Sequence, residues 1–301
     1  MKILITGGAG FIGSHLTDKL IKTGHNVVVV DNLSTGKREN LNPRAKFYKI
    51  DICNSKISQI FKKEKPEVVF HYAAQINVRK SVAEPIKDAK INILGSLNIL
   101  ENSQKYKVKK IIFTSTGGAI YGEADIIPTP ETYPENPLSP YGIAKLTVEK
   151  YLDYYYKIFG LSFISLRLAN VYGPRQNSKG ESGVVAIFYD KLLNKQQPII
   201  NGNGQQTRDY IFVDDVIEAN FLALQKNKVG IFNVGTGIET SVNEIFQKIK
   251  KVTKSNLKAI YKPAKKGDLE RSCLDCSKIK KQLGWQPKHN LDKGLEKTVR
   301  S

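Results

Sequence analysis

Cysteine is scarce: three in 301 residues, an odd number that cannot pair completely and too few for a disulfide framework. Cys273 and Cys276 form the one close pair, a spacing compatible with a redox or half-metal site. A zinc centre needs four ligands, or three and a water, and none of the four histidines lies near that pair in sequence. Ordinary structural thiols and no metal are therefore expected. Long apolar runs are missing as well. No stretch approaches the roughly 18–20 residues of a membrane span, and the N-terminus enters a strand directly, without a charged and apolar leader. These absences argue against a helical membrane protein and lead to the expectation of a cytoplasmic one. Repeats and low-complexity segments are also lacking. A 41% hydrophobic content over this length suffices for a large core, in one large domain or two of unequal size.

Acidic residues are in short supply: 28 against 47 basic ones, a formal charge of +19. Such an excess can mark a nucleic-acid binder. Here the basic runs (Lys62 and Lys63, Lys107 to Lys110, Lys248 to Lys251, Lys265 and Lys266, Lys278 to Lys281) carry no interleaved aromatics of the base-stacking kind. They read as solvated helices and connections that attract anionic substrates, with no specific nucleic-acid partner.

The first thirteen residues carry the first positive signal. Lys2 to Thr6 is a short apolar strand, Gly7-Gly8-Ala9-Gly10-Phe11-Ile12-Gly13 follows, and Leu16, Leu20 and Ile21 continue at helical spacing. Gly7 and Gly10 permit a tight turn against a pyrophosphate, Gly13 lets helix pack on strand, and the helix start offers unpaired N–H groups to the anion. A second apolar strand, Val27 to Val30, ends at Asp31, where a carboxylate holds the adenine ribose hydroxyls. Asp31 would repel a 2′-phosphate, which favours NAD, while Lys37 and Arg38 keep NADP open.

The alternation continues with strands at Lys46–Ile50, Glu67–His71, Lys109–Thr114 and Ser162–Leu166, and helices at Ser55–Lys63, Ile91–Tyr106 and Ser139–Phe159. This predicts an α/β fold with a doubly wound parallel sheet, and ligands at the carboxyl ends of its strands. Asp51, Ala73-Ala74-Gln75, Thr114-Ser115-Thr116 and Asn170 fall at such ends. Beyond Arg167 the texture turns to Gly-, Pro- and Asn-rich connections. We expect a dinucleotide-binding domain over 1–170, with 210–235 returning to it, and a smaller α/β substrate domain from 171–209 and 236–301.

Tyr141 and Lys145 are four residues apart, so a helix places phenol and ammonium on one face. Lowering a phenol from a pKa of about 10 to about 7 takes roughly 4 kcal/mol. An ammonium about 4 Å away supplies about that much at an effective dielectric near 20. The expectation is a tyrosine base tuned by Lys145.

Together these segments resemble the extended short-chain dehydrogenase/reductases, and within them the NAD-dependent sugar-nucleotide epimerases, the UDP-glucose 4-epimerase group above all. The resemblance covers almost the whole chain and is carried by Thr6-Gly7-x-x-Gly10-x-x-Gly13, Asp31-Asn32-Leu33-Ser34-Thr35-Gly36, His71-Tyr-Ala-Ala-Gln75, Ser115-Thr116-Gly-Gly-Ala-Ile-Tyr121-Gly122, Tyr141-x-x-x-Lys145, Arg167-x-x-Asn170-Val-Tyr-Gly-Pro174, Arg208-Asp209-Tyr-Ile-Phe-Val-Asp-Asp215 and Gly284-Trp285. It implies that NAD is held by Gly7, Gly10, Phe11, Ile12, Gly13, Asp31, Asn32, Ser34, Thr35, Gly36, Asp51, Ile52, Ala73, Ala74, Gln75, Asn92, Thr114, Tyr141 and Lys145. Tyr141 is then the base at the sugar 4-hydroxyl, with Lys145, and with Thr116 or its rival Ser115 as hydrogen-bond partner. The UDP-sugar falls to Thr116, Tyr141, Asn170, Arg208, Arg271, Ser272 and Lys265, although a lysine at 265 stands where the family usually has arginine.

The implied reaction is reversible 4-epimerisation through a 4-keto sugar with no net redox change. A small Ser272 implies that UDP-GlcNAc and UDP-GalNAc are accepted beside UDP-Glc and UDP-Gal. Gly117-Gly118 after Thr116, in place of Asp-Glu, weighs against a dehydratase or decarboxylase. A UDP-glucuronate 4-epimerase, served by Arg175 or Lys179, and an NAD-sensing binding protein are the other readings. Apolar positions Ile91, Leu94, Leu97 and Leu100, and Val148, Leu152 and Tyr155, imply either sheet packing or a helix-paired homodimer.

Overall fold

The structure is a computed structural model that describes residues 1–178, 183–264 and 269–299. Its first half interleaves strands and helices: β1 (Lys2–Thr6), α1 (Phe11–Lys22), β2 (Asn26–Asp31), β3 (Lys46–Lys49), α2 (Ile57–Glu64), β4 (Val68–His71), α3 (Val78–Ala83), α4 (Pro85–Ala89), a π-helical turn (Lys90–Leu94), α5 (Gly95–Lys105), β5 (Lys110–Thr116), α6 (Gly117–Ile120), α7 (Pro140–Phe159) and β6 (Ser162–Leu168). There follow β7 (Asn170–Tyr172), α8 (Val184–Leu193), β8 (Ile199–Asn201), β9 (Thr207–Phe212), α9 (Val213–Gln225), β10 (Gly230–Val234), β11 (Glu239–Ser241), α10 (Val242–Val252), β12 (Ile260–Lys262), α11 (Ser277–Leu283) and α12 (Leu291–Val299).

Seven parallel strands form the main sheet in the order β10-β6-β5-β4-β1-β2-β3. Their continuous apolar runs, such as Ile3-Leu4-Ile5 and Val27 to Val30, are those of strands covered on both faces. Leu16 and Leu20 of α1 pack on one face with Val216 and Ala223 of α9. Ile60 of α2, Ile99 of α5 and Val148, Leu152 and Tyr155 of α7 pack on the other. Strand order reverses between β1 and β4, the point of a doubly wound sheet outside whose carboxyl ends a ligand crevice lies. Two small sheets, β11-β9-β7 and β12-β8, follow in the second half of the chain.

One helix differs from its sequence pattern. The segment read as a regular helix from Ile91 starts as the π turn of Lys90–Leu94 and becomes α-helical at Gly95. The extra residue in that turn brings Asn92 inward, where it is 3% exposed and clasps Gln75. Val148, Leu152 and Tyr155 face the sheet, so the apolar stripe that α7 leaves exposed runs instead through Ile143, Tyr151, Tyr154 and Ile158.

Candidate active site

Gly7 adopts φ +73, and a side chain there would meet the Ala73 backbone N at 2.7 Å. At Gly13 a Cβ would lie 2.3 Å from the Gly7 carbonyl. Glycine is thus required where the loop turns and where α1 closes on it. Gly10 caps α1 with no side-chain hydrogen bond, and the first turn of Phe11, Ile12 and Gly13 carries no acid. That leaves a helix terminus suited to an anion. The Asp31 carboxylate, 7% exposed, accepts from Ala9 N at 3.0 Å and Leu33 N at 2.8 Å, and Gly36 closes against it. Asp51 accepts from Asn32 Nδ2 at 2.7 Å and Cys53 N at 2.8 Å; burial works against its charge, but these bonds keep the carboxyl below its ordinary range. Ser34 N bonds Asn32, and Thr35 lies between Ser34 and Gly36. Ile52 is buried against Gly95. A cradle whose tight points admit only glycine, with two carboxylates at the ends of β2 and β3, fits a dinucleotide with free ribose hydroxyls. Lys37 is already paired with Glu39 at 3.1 Å, which leaves only Arg38 of the two cations considered for a 2′-phosphate.

The far wall of the crevice is polar. Gln75 N donates to Asn92 Oδ1 at 2.8 Å, Asn92 Nδ2 donates back to the Gln75 carbonyl at 2.9 Å, and the Ala73-Ala74-Gln75 segment is pinned by this pair. His71 connects it to the glycine loop: Ala73 N donates to Thr6 Oγ1, which lies 2.6 Å from His71 Nδ1, while Nε2 lies 2.8 Å from Ser96 Oγ. Burial drives the His71 pKa down to about 3, so the ring is neutral and rigidly held.

Tyr141 and Lys145 stand in the first turns of α7. Ser139 caps this helix by accepting from Gly142 N at 3.2 Å, and Pro140 occupies its first position, so the sequence pattern and the start of the helix agree. The tuning expected from Lys145 takes a different form. Its Nζ donates to the Thr114 carbonyl at 2.8 Å and lies 4.6 Å from the Phe113 ring centre, but 5.9 Å from that of Tyr141. Burial brings the Lys145 pKa down to about 8, with Asp88 and Glu149 opposing it. Burial and the Asp88 charge push the Tyr141 phenol above its ordinary value. The expectation of a phenol already lowered in the free protein is therefore corrected: desolvation outweighs an ammonium that is held by a strand carbonyl.

Thr116, at the open end of β5, is partly exposed, whereas Ser115 is 3% exposed and its hydroxyl has no partner among the described residues. Asn170 and Ser272 converge on Gly118, whose built Cβ would lie 3.7 Å from Asn170 Oδ1 and 3.8 Å from Ser272 Oγ. Arg208 Nη1 is held by the Thr207 carbonyl at 2.7 Å. Arg271 is turned into a fork on Glu239, with bonds of 3.0 and 2.5 Å. Lys265 lies outside the described residues, as do Lys266 to Asp268 and Lys179. Among the described residues no cluster of His, Cys, Asp and Glu suits a metal, and no helix is long and apolar enough to cross a membrane. Sequence reasoning missed three neighbours of the site: Gly118, Ser81, whose hydroxyl accepts from Tyr141 N at 3.2 Å, and Asp88. The Asp88–Asn92 spacing of four, one helical turn, was a signal for the last of these.

Comparison with known proteins agrees with this geometry. The crystal structure of UDP-glucose 4-epimerase with UDP-glucose from Thermotoga maritima superposes with a TM-score of 0.98 at 53% identity, covering 100% of this chain and 98% of that one. UDP-glucose 4-epimerase of Thermus thermophilus, solved with NAD, gives 0.95 at 41% identity, with 100% and 98% covered. UDP-N-acetylglucosamine 4-epimerase from Methanobrevibacter ruminantium, in complex with UDP-N-acetylmuramic acid, gives 0.95 at 34%, with 99% and 97% covered. Residues 3–235, a span that takes in the glycine cradle and the Tyr141–Lys145 helix, match the NAD dependent epimerase/dehydratase family, and the chain belongs to that family.

Proposed function

We propose that this protein interconverts UDP-hexoses at carbon 4, UDP-Glc with UDP-Gal and UDP-GlcNAc with UDP-GalNAc, and that it keeps NAD bound throughout. The observation that carries this reading is the pair Tyr141 and Lys145 on one face of α7, with Lys145 held by Thr114 O near the end of the strand that Thr116 closes, beside a cradle shaped for a dinucleotide. NAD, when bound, accepts and returns the hydride at carbon 4. Tyr141 takes the proton from the 4-hydroxyl and gives it back, which requires the phenol that burial keeps protonated in the free protein to ionise once NAD and substrate are bound, and Thr116 hydrogen-bonds the same oxygen. Lys145 holds a positive charge beside them and is anchored to Thr114 O.

Gly7, Gly10, Phe11, Ile12 and Gly13 bind the pyrophosphate in this proposal, Asp31 and Asp51 the adenosine end, and Ala73 to Gln75 with Asn92 the nicotinamide side. Arg208, Asn170 and Arg271 take the UDP and sugar-proximal phosphate, for which Arg271 must exchange Glu239 for phosphate oxygens. Ser272 and Gly118 leave room for an acetamido group. Gly117 supports epimerisation over dehydration: a Cβ there would lie 2.5 Å from Leu274 Cδ1, so an acid of the eliminating kind would require Leu274 to move.

The domain assignment belongs to the same proposal, residues 1–170 with 210–235 serving NAD and 171–209 with 236–301 the nucleotide sugar. The exposed stripe of Ile143, Tyr151, Tyr154 and Ile158, next to Leu94 and Ile86 at 59% and 85% exposure, supports a homodimer through α7. Sedimentation of Tyr154→Glu as a monomer tests that contact; an unchanged mass rejects it. Incubation with a panel of UDP-sugars followed by NMR tests the activity. Conversion at carbon 4 is expected, and a dehydrated or decarboxylated product, or no turnover of any hexose, overturns the reading.

A further inference from the structure

Asp88 is a buried carboxylate with no place in the chemistry just described. It is 1% exposed in α4, on the wall behind Gln75. Its Oδ1 accepts from Gln75 Nε2 and from Asn92 Nδ2, both at 2.9 Å. Its Oδ2 is sealed from solvent and has no partner among the described residues. A buried carboxylate that needed only to fold would have both oxygens satisfied, since each unmet acceptor costs about 1–3 kcal/mol.

Two consequences follow from its position. First, it completes a clasp. Asn92 holds the Gln75 backbone on both sides, Gln75 holds Asn77 through Oε1 at 2.6 Å and Nε2 at 2.9 Å, and Asp88 ties the two amide side chains together. Second, α4 packs on α7, so the carboxylate acts on Tyr141 and Lys145 whenever it is ionised, and burial raises its own pKa above the ordinary carboxylate range. The charged and titratable groups around it can be enumerated. From α7 come Tyr141, Lys145 and, one turn on, Glu149; from β4 comes His71, held neutral. Arg79 and Lys80 of α3 and Lys90 of the π turn are exposed, and Glu84 and Lys87 pair with each other at 2.8 Å on the surface. Asp88 and Glu149 are thus the buried anions next to Lys145, and Glu149 is already bonded to Arg167.

We propose that Asp88 is a positioning residue, which clamps the Ala73–Gln75 wall through Gln75 and Asn92 and sets the pH range over which Tyr141 and Lys145 work together. Its charge raises the proton affinity of both groups, countering burial at Lys145 and adding to burial at Tyr141. The inference rests on the epimerase reading.

The test is the pH profile of kcat for UDP-hexose epimerisation in NAD-loaded enzyme. Asp88→Asn keeps the shape and one acceptor oxygen but removes the charge. Both limbs of the profile should move to lower pH by about half a unit or more, with KM within about twofold, and Asp88→Glu should return them to the wild-type position. Coincident limbs in wild type and Asp88→Asn, or an Asp88→Glu profile that matches Asp88→Asn, overturn the proposal. If Asp88→Asn does not fold, Gln75→Leu opens the same clasp with the carboxylate in place. That variant should lose NAD faster through gel filtration; unchanged retention overturns the proposal. Wild-type enzyme that turns over no UDP-hexose is a failure of the epimerase reading itself, and so is told apart from a failure at Asp88.

Discussion

Two buried cations one helical turn apart in their surroundings on α7 have opposite fates. Arg167 of β6 is fully enclosed and ion-paired: Glu149 takes three of its bonds between 2.6 and 3.2 Å, Glu135 a fourth at 2.9 Å, and Tyr121 lies under the guanidinium at 4.9 Å, while Nη1 has no partner among the described residues. Burial opposes its charge, yet these partners hold its proton more tightly than usual. Lys145, four residues before Glu149, is buried to nearly the same degree. It has a carbonyl oxygen and two ring faces but no ion pair among the described residues, and its pKa falls to about 8. A charge meant to hold the fold is surrounded by opposite charge. One meant for chemistry is left short of it, within reach of its own titration.

Substitutions on the two sides should break this contrast in opposite ways. Tyr141→Phe should lower kcat by about 10²–10⁴-fold, the span of acid–base catalysis, with NAD retained and the thermal midpoint unmoved; rapid-quench turnover of UDP-Glc measures it, and undiminished turnover rejects Tyr141 as the base. Arg167→Leu strands Glu149 without its partner and should cost about 3–5 kcal/mol of stability, read as an earlier urea midpoint. A midpoint equal to wild type would show that the ion-paired cluster is dispensable. Ser272→Tyr leaves both cations alone and fills the space facing Gly118 and Asn170. Turnover of the N-acetyl pair should fall at least about 10²-fold while UDP-Glc and UDP-Gal keep most of theirs, the scale on which a blocked pocket discriminates; equal loss for both pairs would count against the steric account. The gentlest probe is pH. Lys145 is protonated below about 8 and neutral above it, so the resonance of its ε-amine should titrate near that value in an NMR pH series. A resonance that holds its ammonium position to pH 10 would place Lys145 among the ion-paired cations.

Much of this was legible in the residues themselves. Apolar strand runs, the glycine spacing and Asp31 at the end of β2 depend on local geometry, so pattern alone foretold the parallel sheet. Ser139 and Pro140 announced the start of α7 for the same reason. What pattern could not supply was environment. A spacing of four puts Tyr141 and Lys145 on one face, but only the packed strand shows the ammonium turning to Thr114 O, and only burial gives the phenol its upward shift. The π turn escaped because its cause is a partner 17 residues away, the Gln75 backbone clasped by Asn92. Ser115 and Thr116 are adjacent hydroxyls in the chain, and pleating separates them, one sealed inside and one at the opening. Arg271 was legible as a phosphate-type fork; its occupation by Glu239 was not.

The seventh strand has a bearing on how the chain comes off the ribosome. β10 docks beside β6 only after residues 230–234 have been made, more than sixty positions after β6 itself, and until then the β6 edge offers unpaired backbone groups to any passing strand. Nascent chains should therefore stay vulnerable to misassembly until that late segment emerges, and truncation just before Gly230 should yield insoluble protein where truncation after Val234 is better tolerated.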